Sequence, residues 1–466
     1  MVGPEPLSPE DATLVCATTP EAQLLIGAVC RLDGGPLRDA DGELRVDDLR
    51  QHVLARLALI PRFRQRVQRV PFDLARPVWV DDADFDIDRH LHVTALPAPG
   101  GSAELRAFMG ELLSDGLDPG HPMWDLWLID GLEGDEMAVV LRVHHVIADG
   151  LSLVRAAIAL LDLEPGDAPP EPPSVPWRPA PTPSSASVAV GAVSDRASHQ
   201  LGLVVGAART LMDPRRSLTL ARSAARAVTP PPRPIPPLGL TGRVGPRRDL
   251  CWSSLPMEPL HTVAHSRGVT VNDMVLAAVT VALRRSLGAE VASSMAQSQP
   301  RVLVPVGDAV DDQHGGNRFT FVVAGLPVHL ESSELILDHV HREMKERTAS
   351  DQAANMLALF SVVDVVPVPL LRGLAPGILA RQPFVNLTVT NVTGSEAPLY
   401  LLGARLRTMH PFVTGVGNVA CVIAVLSYRD ELAIGITVDP DVVPDADRLL
   451  ADVVDAAQEL GRLGPP

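Results

Sequence analysis

The sequence predicts a mixed α/β protein with two lobes that a proline-rich crossover joins. With 466 residues, the chain is longer than one hydrophobic core usually holds. Its 46% hydrophobic and 21% charged residues are typical of a folding chain. Proline clusters mark the segment 166–240, and helical and strand patterns are mixed on both sides of it. We therefore expect an N-terminal lobe over residues 1–165, a linker with amphipathic crossover helices over 166–240, and a C-terminal lobe over 241–466.

The first lobe mixes helical periodicity with short apolar runs. Apolar residues at helical spacing predict helices, and short apolar runs bounded by turn residues predict strands. The predicted helices cover 46–59, 103–113 and 151–161, and the predicted strands cover 77–80, 123–129 and 137–143. The run 137–143 alternates too little for a surface strand, so we expect it to be buried.

The second lobe shows the same mixture. A helix over 255–266 is expected to end before Gly268, and Asn272 is expected to cap a helix that runs towards residue 287. Further helices are predicted at 331–348 and 446–460, and strands at 301–306, 319–328, 385–392, 419–428 and 431–438. Both halves therefore contain the elements of an α/β lobe.

Between the two proline clusters, the segment 188–228 is rich in Ala, Val and Leu. It carries six arginines against two aspartates. One interpretation is a basic helical face that lies on an anionic membrane or lipid surface. The other is one or two crossover helices that pack on both lobes and leave their arginines in solvent. The sequence leaves both open.

Charge and cysteine usage exclude several classes of protein. The net charge of −16 gives no electrostatic support to nucleic-acid binding. The four cysteines are far apart in apolar or mixed contexts, which is typical of buried thiols in a reducing compartment rather than of disulfides. The N-terminus lacks a secretory pattern, and no uncharged apolar run reaches about 18 residues. We expect a cytoplasmic protein that is soluble or peripheral at a membrane.

The segment 144–150, His-His-Val-Ile-Ala-Asp-Gly, is the most informative in the chain. It lies between a predicted buried strand and a predicted helix, where catalytic groups are often placed. A neutral imidazole near physiological pH is a natural general base for a hydroxyl or thiol group. We assign this role to His145 and expect Asp149 to fix the geometry of the loop. His144 is expected to support the base or contact substrate, and Gly150 to permit a sharp turn.

Other uses of these histidines are weaker. Adjacent histidines are often satisfied core residues, but the Asp-Gly pair at this offset favours catalysis. His145 and Asp149 lack a third metal ligand at convincing spacing, so we predict no metal. Three more histidine pairs lack a suitable partner as well: His261 with His265, His90 with His92, and His339 with His341.

Patterns for other catalytic classes are absent. The sequence has no GxSxG motif, no Walker A lysine and no GxGxxG after a strand. A base without a protein nucleophile implies that the substrate supplies the nucleophile, as in direct acyl transfer. Such a reaction needs a donor for the oxyanion, and Asn272 and the run 388–391, including Asn391, are candidates in the second lobe. The alternative interpretation of Asn272 is an ordinary helix cap, and that of the run 388–391 is a set of strand residues that face the surface.

An ordered set of motifs resembles the bacterial wax ester synthase/acyl-CoA:diacylglycerol acyltransferase family. This family lies within the superfamily of chloramphenicol acetyltransferase and the condensation domains. Besides 144–150, the matching segments are 7–11 (LSPED), 77–81 (PVWVD), 117–124 (LDPGHPMW), 127–132 (WLIDGL), 270–276 (TVNDMVL), 315–317 (GGN), 390–394 (TNVTG), 398–400 (PLY) and 427–428 (SY). The resemblance covers nearly the whole chain, and the order of the flanking motifs makes it specific.

The resemblance implies two chloramphenicol-acetyltransferase-like lobes with the active site at their interface. It gives His145 as the catalytic base and Asp149 as a structural aspartate. Pro122 and Trp124 match a PLW-type motif, and Asn272 with Asp273 matches an ND motif near the site. The implied reaction moves a long-chain acyl group from acyl-CoA to diacylglycerol or a long-chain alcohol, which gives triacylglycerol or wax ester. Acyl-CoA is then a co-substrate, no cofactor is expected, and the protein is expected at the inner membrane face or on lipid inclusions.

Some residues depart from the family pattern. They lie in the stretch 13–26, at Gly307 and Asp308 after a strand, and in the segment 391–394, where the usual NVPG is NVTG. Two alternatives therefore stay open beside the acyl-CoA-dependent enzyme. One is an acyltransferase with a carrier-protein-bound or polyketide-type donor, and the other is a catalytically weak lipid-surface protein.

Overall fold

The computed structural model describes residues 5–19, 22–166, 168–171, 174–182, 184, 235–306, 320–349 and 366–464. The predicted crossover helices within 188–228, the departure at Gly307 and Asp308, and the motif at 315–317 lie outside the described residues.

Two six-stranded sheets form the centres of the two lobes. The strands in chain order are β1 (Glu5–Pro6), β2 (Leu25–Asp33), β3 (Gln65–Gln68), β4 (Val78–Asp81), β5 (Leu91–Ala95), β6 (Trp124–Asp130), β7 (Glu136–His144), β8 (Asp249–Pro256), β9 (Arg301–Val306), β10 (Thr320–Gly325), β11 (Leu387–Thr393), β12 (Tyr400–Leu401), β13 (Ala404–Val413), β14 (Cys421–Tyr428) and β15 (Glu431–Val438). The first sheet has the order β12-β13-β2-β7-β6-β5, and the second has the order β10-β9-β11-β14-β15-β8. A small sheet, β1-β4-β3, accompanies the first lobe.

Helices pack on both sheets. In chain order they are α1 (Pro9–Ala17), α2 (Val46–Arg56), α3 (Ser102–Ser114), α4 (Gly150–Leu160), α5 (Met257–Arg267), α6 (Val271–Leu287), α7 (Ala289–Ser294), α8 (Ser333–Ala349), α9 (Val368–Leu379) and α10 (Ala446–Leu460). The amphipathic spacing of α10 buries seven of its residues against α6 and the second sheet. Apolar burial of this kind is the main stabilising contribution to each lobe.

The first sheet contains strands from both halves of the chain. β13 pairs antiparallel with β2, from Val413 opposite Ile26 to Leu406 opposite Leu32. β12 and β13 therefore belong to the first sheet although they lie within the predicted C-terminal range 241–466. The predicted limits of the two lobes, 1–165 and 241–466, stay a prediction. The first sheet nevertheless takes strands from both of these ranges.

β13 also contacts the second sheet closely. A Cβ atom at Gly435 on β15 would lie 1.9 Å from the carbonyl oxygen of Pro411 on β13, so only glycine fits there. Ser254 on β8 lies 3.0 Å from Nε2 of His410, which also belongs to β13. Arg106 on α3 adds paired hydrogen bonds of 2.8 and 2.6 Å to the carboxylate of Asp249 on β8. These contacts hold the two lobes together.

Several predicted elements are confirmed and two need correction. The strand 431–438 and the helix 446–460 have the predicted bounds, and Gly268 ends α5 in the left-handed conformation. The helix predicted to include residue 255 begins at Met257, because Leu255 pairs with Leu432 as part of β8. The cap of α6 is Thr270 and not Asn272, which lies inside the first turn.

Candidate active site

A large cavity lies between the two lobes, with a volume of about 860 Å³. First-lobe residues from α1, β2, β7 and α4 line it on one side, and residues from β9, β10, β11 and β14 line it on the other. Most of the lining side chains are apolar. His145 is part of this lining, so the base predicted from the sequence faces a space that both lobes enclose.

His145 follows the last residue of β7 and is held through its backbone. Its N–H donates to the carbonyl of Leu24, just before β2, at 2.7 Å. Burial lowers the pKa of His145, while a hydrogen bond to its own carbonyl and the charge of Asp149 act in the opposite direction. The imidazole is therefore neutral near pH 7. Its Nδ1 atom is buried, which leaves Nε2 as the nitrogen that can receive a proton in the cavity.

His144 has a structural position rather than a catalytic one. Its Nδ1 accepts the N–H of Val146 at 3.1 Å, so Nε2 carries the proton of the neutral ring. Nε2 lies 2.9 Å from the hydroxyl of Thr18, which itself donates to the carbonyl of Leu14. Burial, with a smaller contribution from His145, lowers the pKa of His144 to about 3. A ring with both nitrogens engaged supports the turn and has no atom left for substrate.

Asp149 and Gly150 fix the beginning of α4. Asp149 is the N-cap residue, and its carboxylate accepts the N–H of Ser152 at 2.8 Å. Gly150 lines the cavity, and a Cβ atom there would lie 2.9 Å from Cγ2 of Val392 on β11. The glycine is therefore needed for close approach of the second lobe, and not for the sharp turn expected from the sequence.

Pro122 and Trp124 lie outside the cavity and support the histidine pair through packing and backbone contacts. Both are buried and neither lines the cavity. Trp124 stacks on His90 with ring centroids 4.6 Å apart and donates from its indole to the carbonyl of Phe63 at 2.8 Å. The carbonyl of Met123, between the two motif residues, accepts the N–H of His144 at 2.9 Å. This motif positions the histidine pair through the backbone.

The structure does not bring Asn272 and Asp273 to the cavity. Asp273 forms a capping box with Thr270 and accepts from Nδ1 of His341 at 2.9 Å, so it stabilises the start of α6. Asn272 follows Val271 in the first turn and does not line the cavity either. The alternative of an ordinary helix start is therefore the better description of this pair.

Asn391 does not line the cavity, whereas its neighbours in β11 on either side do. Side chains alternate between the two faces of a strand, and the cavity is lined by Thr388, Thr390 and Val392 of β11. Thr390 lies two residues, or about 7 Å, from Val392, which contacts the start of α4. Thr388 and Thr390 are thus the polar residues that β11 contributes to the cavity lining. Within the run 388–391, the even-numbered residues line the cavity and Asn391 does not.

In the first lobe, the cavity extends along β2. Ile26, Ala28, Cys30 and Leu32 face it, and Ala28 and Cys30 keep exposed surface although their strand lies inside the sheet. From residue 24, beside His145, to residue 32 the strand spans about 26 Å. Buried Val53, Leu160 and Leu401 also line this part of the cavity. We call it the first-lobe arm.

Two arginines that no sequence pattern indicated line the cavity in the second lobe. Arg301 begins β9 and Arg347 lies in the last turn of α8. Burial, and then the nearby positive charge of Arg347, lower the pKa of Arg301. Arg347 is 44% exposed and also pairs with Glu343 at 2.9 Å. Because Arg347 reaches solvent, this pair marks an opening of the cavity. Their separation in sequence left no local signal.

Over the described ranges, no group of three or more His, Cys, Asp or Glu side chains is arranged to hold a metal ion. Within the same ranges, no single helix has the length and apolar character needed to cross a bilayer; α5 and α6 meet these criteria only as a pair bent by 107°.

Comparisons with known proteins agree with the motif resemblance. The model of the wax ester synthase/diacylglycerol acyltransferase catalytic domain matches residues 7–275, and that of the C-terminal domain of the same family matches residues 315–461. A probable diacylglycerol O-acyltransferase, Tgs1 of Mycobacterium tuberculosis, is 30% identical over 441 residues, which is 94% of this chain and 91% of the relative.

Solved structures show the same fold. The wax ester synthase/diacylglycerol acyltransferase of Marinobacter aquaeolei VT8 is 25% identical with a TM-score of 0.66, and the match covers 98% of each chain. The first condensation domain of the calcium-dependent antibiotic synthetase has a TM-score of 0.62 at 16% identity, with 99% of this chain and 96% of that chain covered. The predicted two-lobed α/β fold is therefore confirmed. The chain belongs to the wax ester synthase/diacylglycerol acyltransferase family of acyltransferases.

Proposed function

We propose that this acyltransferase moves a long-chain acyl group from acyl-CoA to the hydroxyl of diacylglycerol or a long-chain alcohol, with His145 as general base. The products are triacylglycerol or a wax ester. The observation that carries the proposal is the neutral imidazole of His145 in a mostly apolar cavity that both lobes line. A base in such a space serves a substrate that is largely hydrocarbon and brings its own nucleophile.

The reaction needs no covalent enzyme intermediate. Nε2 of His145 takes the proton of the acceptor hydroxyl while the oxygen attacks the thioester carbonyl carbon. The tetrahedral intermediate collapses, the carbon–sulfur bond breaks, and the CoA thiolate takes the proton back from the imidazolium. The charge of Asp149 favours the imidazolium, and its capping bond to Ser152 keeps the loop in place. General base catalysis of this kind contributes about 10²–10⁴ in rate.

The oxyanion of the intermediate needs a donor, and Thr390 is our candidate. Thr390 lines the cavity from the second lobe, two residues along β11 from Val392, which approaches Gly150. A donor aimed at the developing charge is worth about 10²–10³ in kcat. This placement gives each lobe one part of the chemistry, the base on the first and the donor on the second.

The two ends of the cavity fit the two ends of an acyl-CoA. Arg301 and Arg347 both line the cavity, and guanidinium groups bind phosphate groups through charge-assisted hydrogen bonds. With CoA at these arginines and the thioester at His145, the acyl chain would fill the first-lobe arm. One lipid chain spans about 15 Å, half of the hydrocarbon thickness of a bilayer, and the arm is long enough for it. The acceptor lipid is insoluble in water, so we also propose that the protein works at a membrane or lipid-inclusion surface.

The first test is release of CoA thiol from palmitoyl-CoA with hexadecanol or diolein as acceptor. The His145→Ala variant should lose at least about 10²-fold in kcat. His261→Ala, at an exposed position on α5, is the matched control and should retain activity. Equal turnover by wild type and the His145→Ala variant would contradict the proposal. A strict requirement for a carrier-protein-bound donor would support the alternative donor class instead.

The second test concerns the first-lobe arm. Ala157 on α4 lines the cavity, and Ala157→Phe would place a ring inside the arm. We expect kcat/KM for palmitoyl-CoA to fall much more than kcat/KM for butyryl-CoA. The matched change Val323→Phe, in the second-lobe wall, should leave the ratio of the two donors unchanged. A loss that is the same for both donors in the Ala157→Phe variant would show that the acyl chain lies elsewhere.

A further inference from the structure

Helix α9 exposes a stripe of large apolar side chains. Leu370, Leu374 and Ile378 are spaced by four residues and are 50%, 50% and 62% exposed. This spacing places them on one face of the helix. Val368 and Ala375 on the other face are buried, so the helix is already anchored and its exposed stripe is not needed for that packing. A contiguous apolar face of this kind marks an interaction site.

An exposed phenylalanine lies beside this stripe. Phe72 is 90% exposed and has a φ angle of 59°, in the left-handed region that a bulky residue rarely adopts. Its neighbour Asp73 lies 3.3 Å from the guanidinium of Arg372 on α9, which fixes the two segments together. A strained backbone that presents an aromatic ring to solvent is typical of a functional surface. Phe72 thus extends the apolar face of α9.

The same face continues into the cavity. Leu379 at the end of α9 and Gln382, Phe384 and Val385 after it line the space that contains His145. Phe384 is also 45% exposed, so it belongs to both the outer face and the cavity wall. A lipid that leaves a surface in contact with α9 would meet an apolar route to the base without crossing water.

The charge of this region differs from that of the whole chain. The net charge of the protein is −16, but the range 368–393 contains Arg372 and Arg381 and no Asp or Glu. Arg372 and Arg69 are 51% and 52% exposed, and both pair with the carboxylate of Asp73, so these three side chains carry a net charge of +1, to which Arg381 adds another positive charge. Arginines that flank an apolar face favour an anionic phospholipid surface, since each basic residue near such a surface is attracted to it.

We propose that the α9 stripe and Phe72 form the face by which this protein docks on an anionic phospholipid surface, with the cavity wall at Phe384 directed at the lipid. This inference rests on the proposed function, because a lipid acceptor gives the docked cavity its substrate. Docking buries the stripe among the acyl chains and places the arginines among the headgroups. The acceptor then enters past Phe384 and reaches His145 from the lipid side.

Vesicle flotation tests the face without any requirement for catalysis. The full chain, in a His145→Ala background, is mixed with vesicles of phosphatidylcholine and phosphatidylglycerol that contain diolein. Burial of a half-exposed leucine favours partitioning about fivefold, so Leu370→Glu with Leu374→Glu should lower the bound-to-free ratio at least about tenfold. Phe72→Ser should lower it as well. Leu335→Glu, at a 55% exposed leucine on α8, is the matched control and should float like its parent.

Activity separates docking from chemistry. In the otherwise wild-type chain, the double variant should keep its kcat/KM for a water-soluble short-chain alcohol and lose turnover of diolein in vesicles by the same factor as its binding. Flotation of the double variant at the level of the parent would overturn the proposal. Equal losses with the soluble and the vesicle-bound acceptor would overturn it too, since they indicate a structural role for the stripe. Inactivity of every variant with every acceptor, combined with normal flotation of the His145→Ala parent, would instead contradict the proposed function.

Discussion

The approach of β11 to Gly150 gives the sharpest prediction. Replacement of Gly150 by alanine adds a Cβ atom that would lie 2.9 Å from Cγ2 of Val392, closer than unstrained carbon atoms pack. Either the start of α4 or the second-lobe strand must move. His145 lies five residues before Gly150 in the same turn, so the movement reaches the base.

The magnitude follows from the contact. Overpacking of this kind costs about 1–3 kcal/mol in the free energy of unfolding. Alanine in a helix recovers up to about 1 kcal/mol relative to glycine, which partly masks the cost in the single variant. Val392→Ala removes the clashing methyl group and costs about 1 kcal/mol of burial by itself. In a double-mutant cycle these intrinsic effects cancel, and the coupling energy reports the contact alone. We expect a favourable coupling of about 1–3 kcal/mol between the two substitutions.

The assay combines urea unfolding with CoA-release kinetics on the wild type, both single variants and the double variant. Because a shift of about 1 Å near reacting groups costs about 10² in rate, we expect a loss of about tenfold in kcat/KM for Gly150→Ala. The double variant should recover most of this loss. A coupling energy near zero, or a double variant as inactive as Gly150→Ala, would refute the idea that this contact sets the distance between the lobes.

Three further predictions concern the site. Asp149→Asn keeps a capping side chain but removes the charge that raises the pKa of His145, so the acid limb of the pH profile of kcat/KM should move to lower pH; an unchanged limb would contradict this role. Thr390→Val should lower kcat by about 10²–10³ with little change in stability, whereas Asn391→Ala should leave kcat near the wild-type value; similar losses in both would exclude the threonine as oxyanion donor. Burial lowers the pKa of His144 from 6.5 in the unfolded chain to about 3 in the folded protein. Between these two pH values the unfolded chain binds a proton at His144 and the folded protein does not. The free energy of unfolding should therefore decrease as the pH falls from 6.5 to about 3, by at most about 5 kcal/mol. Urea titrations of the wild type and of His144→Gln should show a flatter pH dependence in the variant; parallel curves would argue against a buried neutral ring.

The strand–turn–helix structure around His145 was predictable because its signals are local. A buried strand, a histidine, a capping aspartate and an apolar helix follow one another within about 25 residues, and each has its own sequence signature. β15 and α10 were predicted to the residue for the same reason. These elements carry their hydrophobic period and their end signals within their own sequence.

The second-lobe residues that share the cavity with His145 were not predictable in the same way. Strand periodicity shows that alternate residues of β11 share a face, but it does not show which face meets the cavity. A shift of one residue therefore separates the predicted Asn391 from Thr390, which lines the cavity. The reason for Asn272 is different: Thr270, two residues earlier, caps α6, and Asp273 in the first turn of that helix contacts His341.

The strand β13 explains why pairing between distant residues matters for catalysis. It completes the first sheet beside β2, and its backbone also touches β15 of the second sheet at Gly435. Thr414, directly after β13, accepts the N–H of Leu25 at 2.8 Å, next to the residue that holds the backbone of His145. Backbone contacts of β13, which cannot repack as side chains do, thus help to fix the position of His145 relative to the second lobe. A fixed distance of this kind is what a reaction needs when the base and the oxyanion donor lie on different lobes, since each must be in place before the hydroxyl attacks.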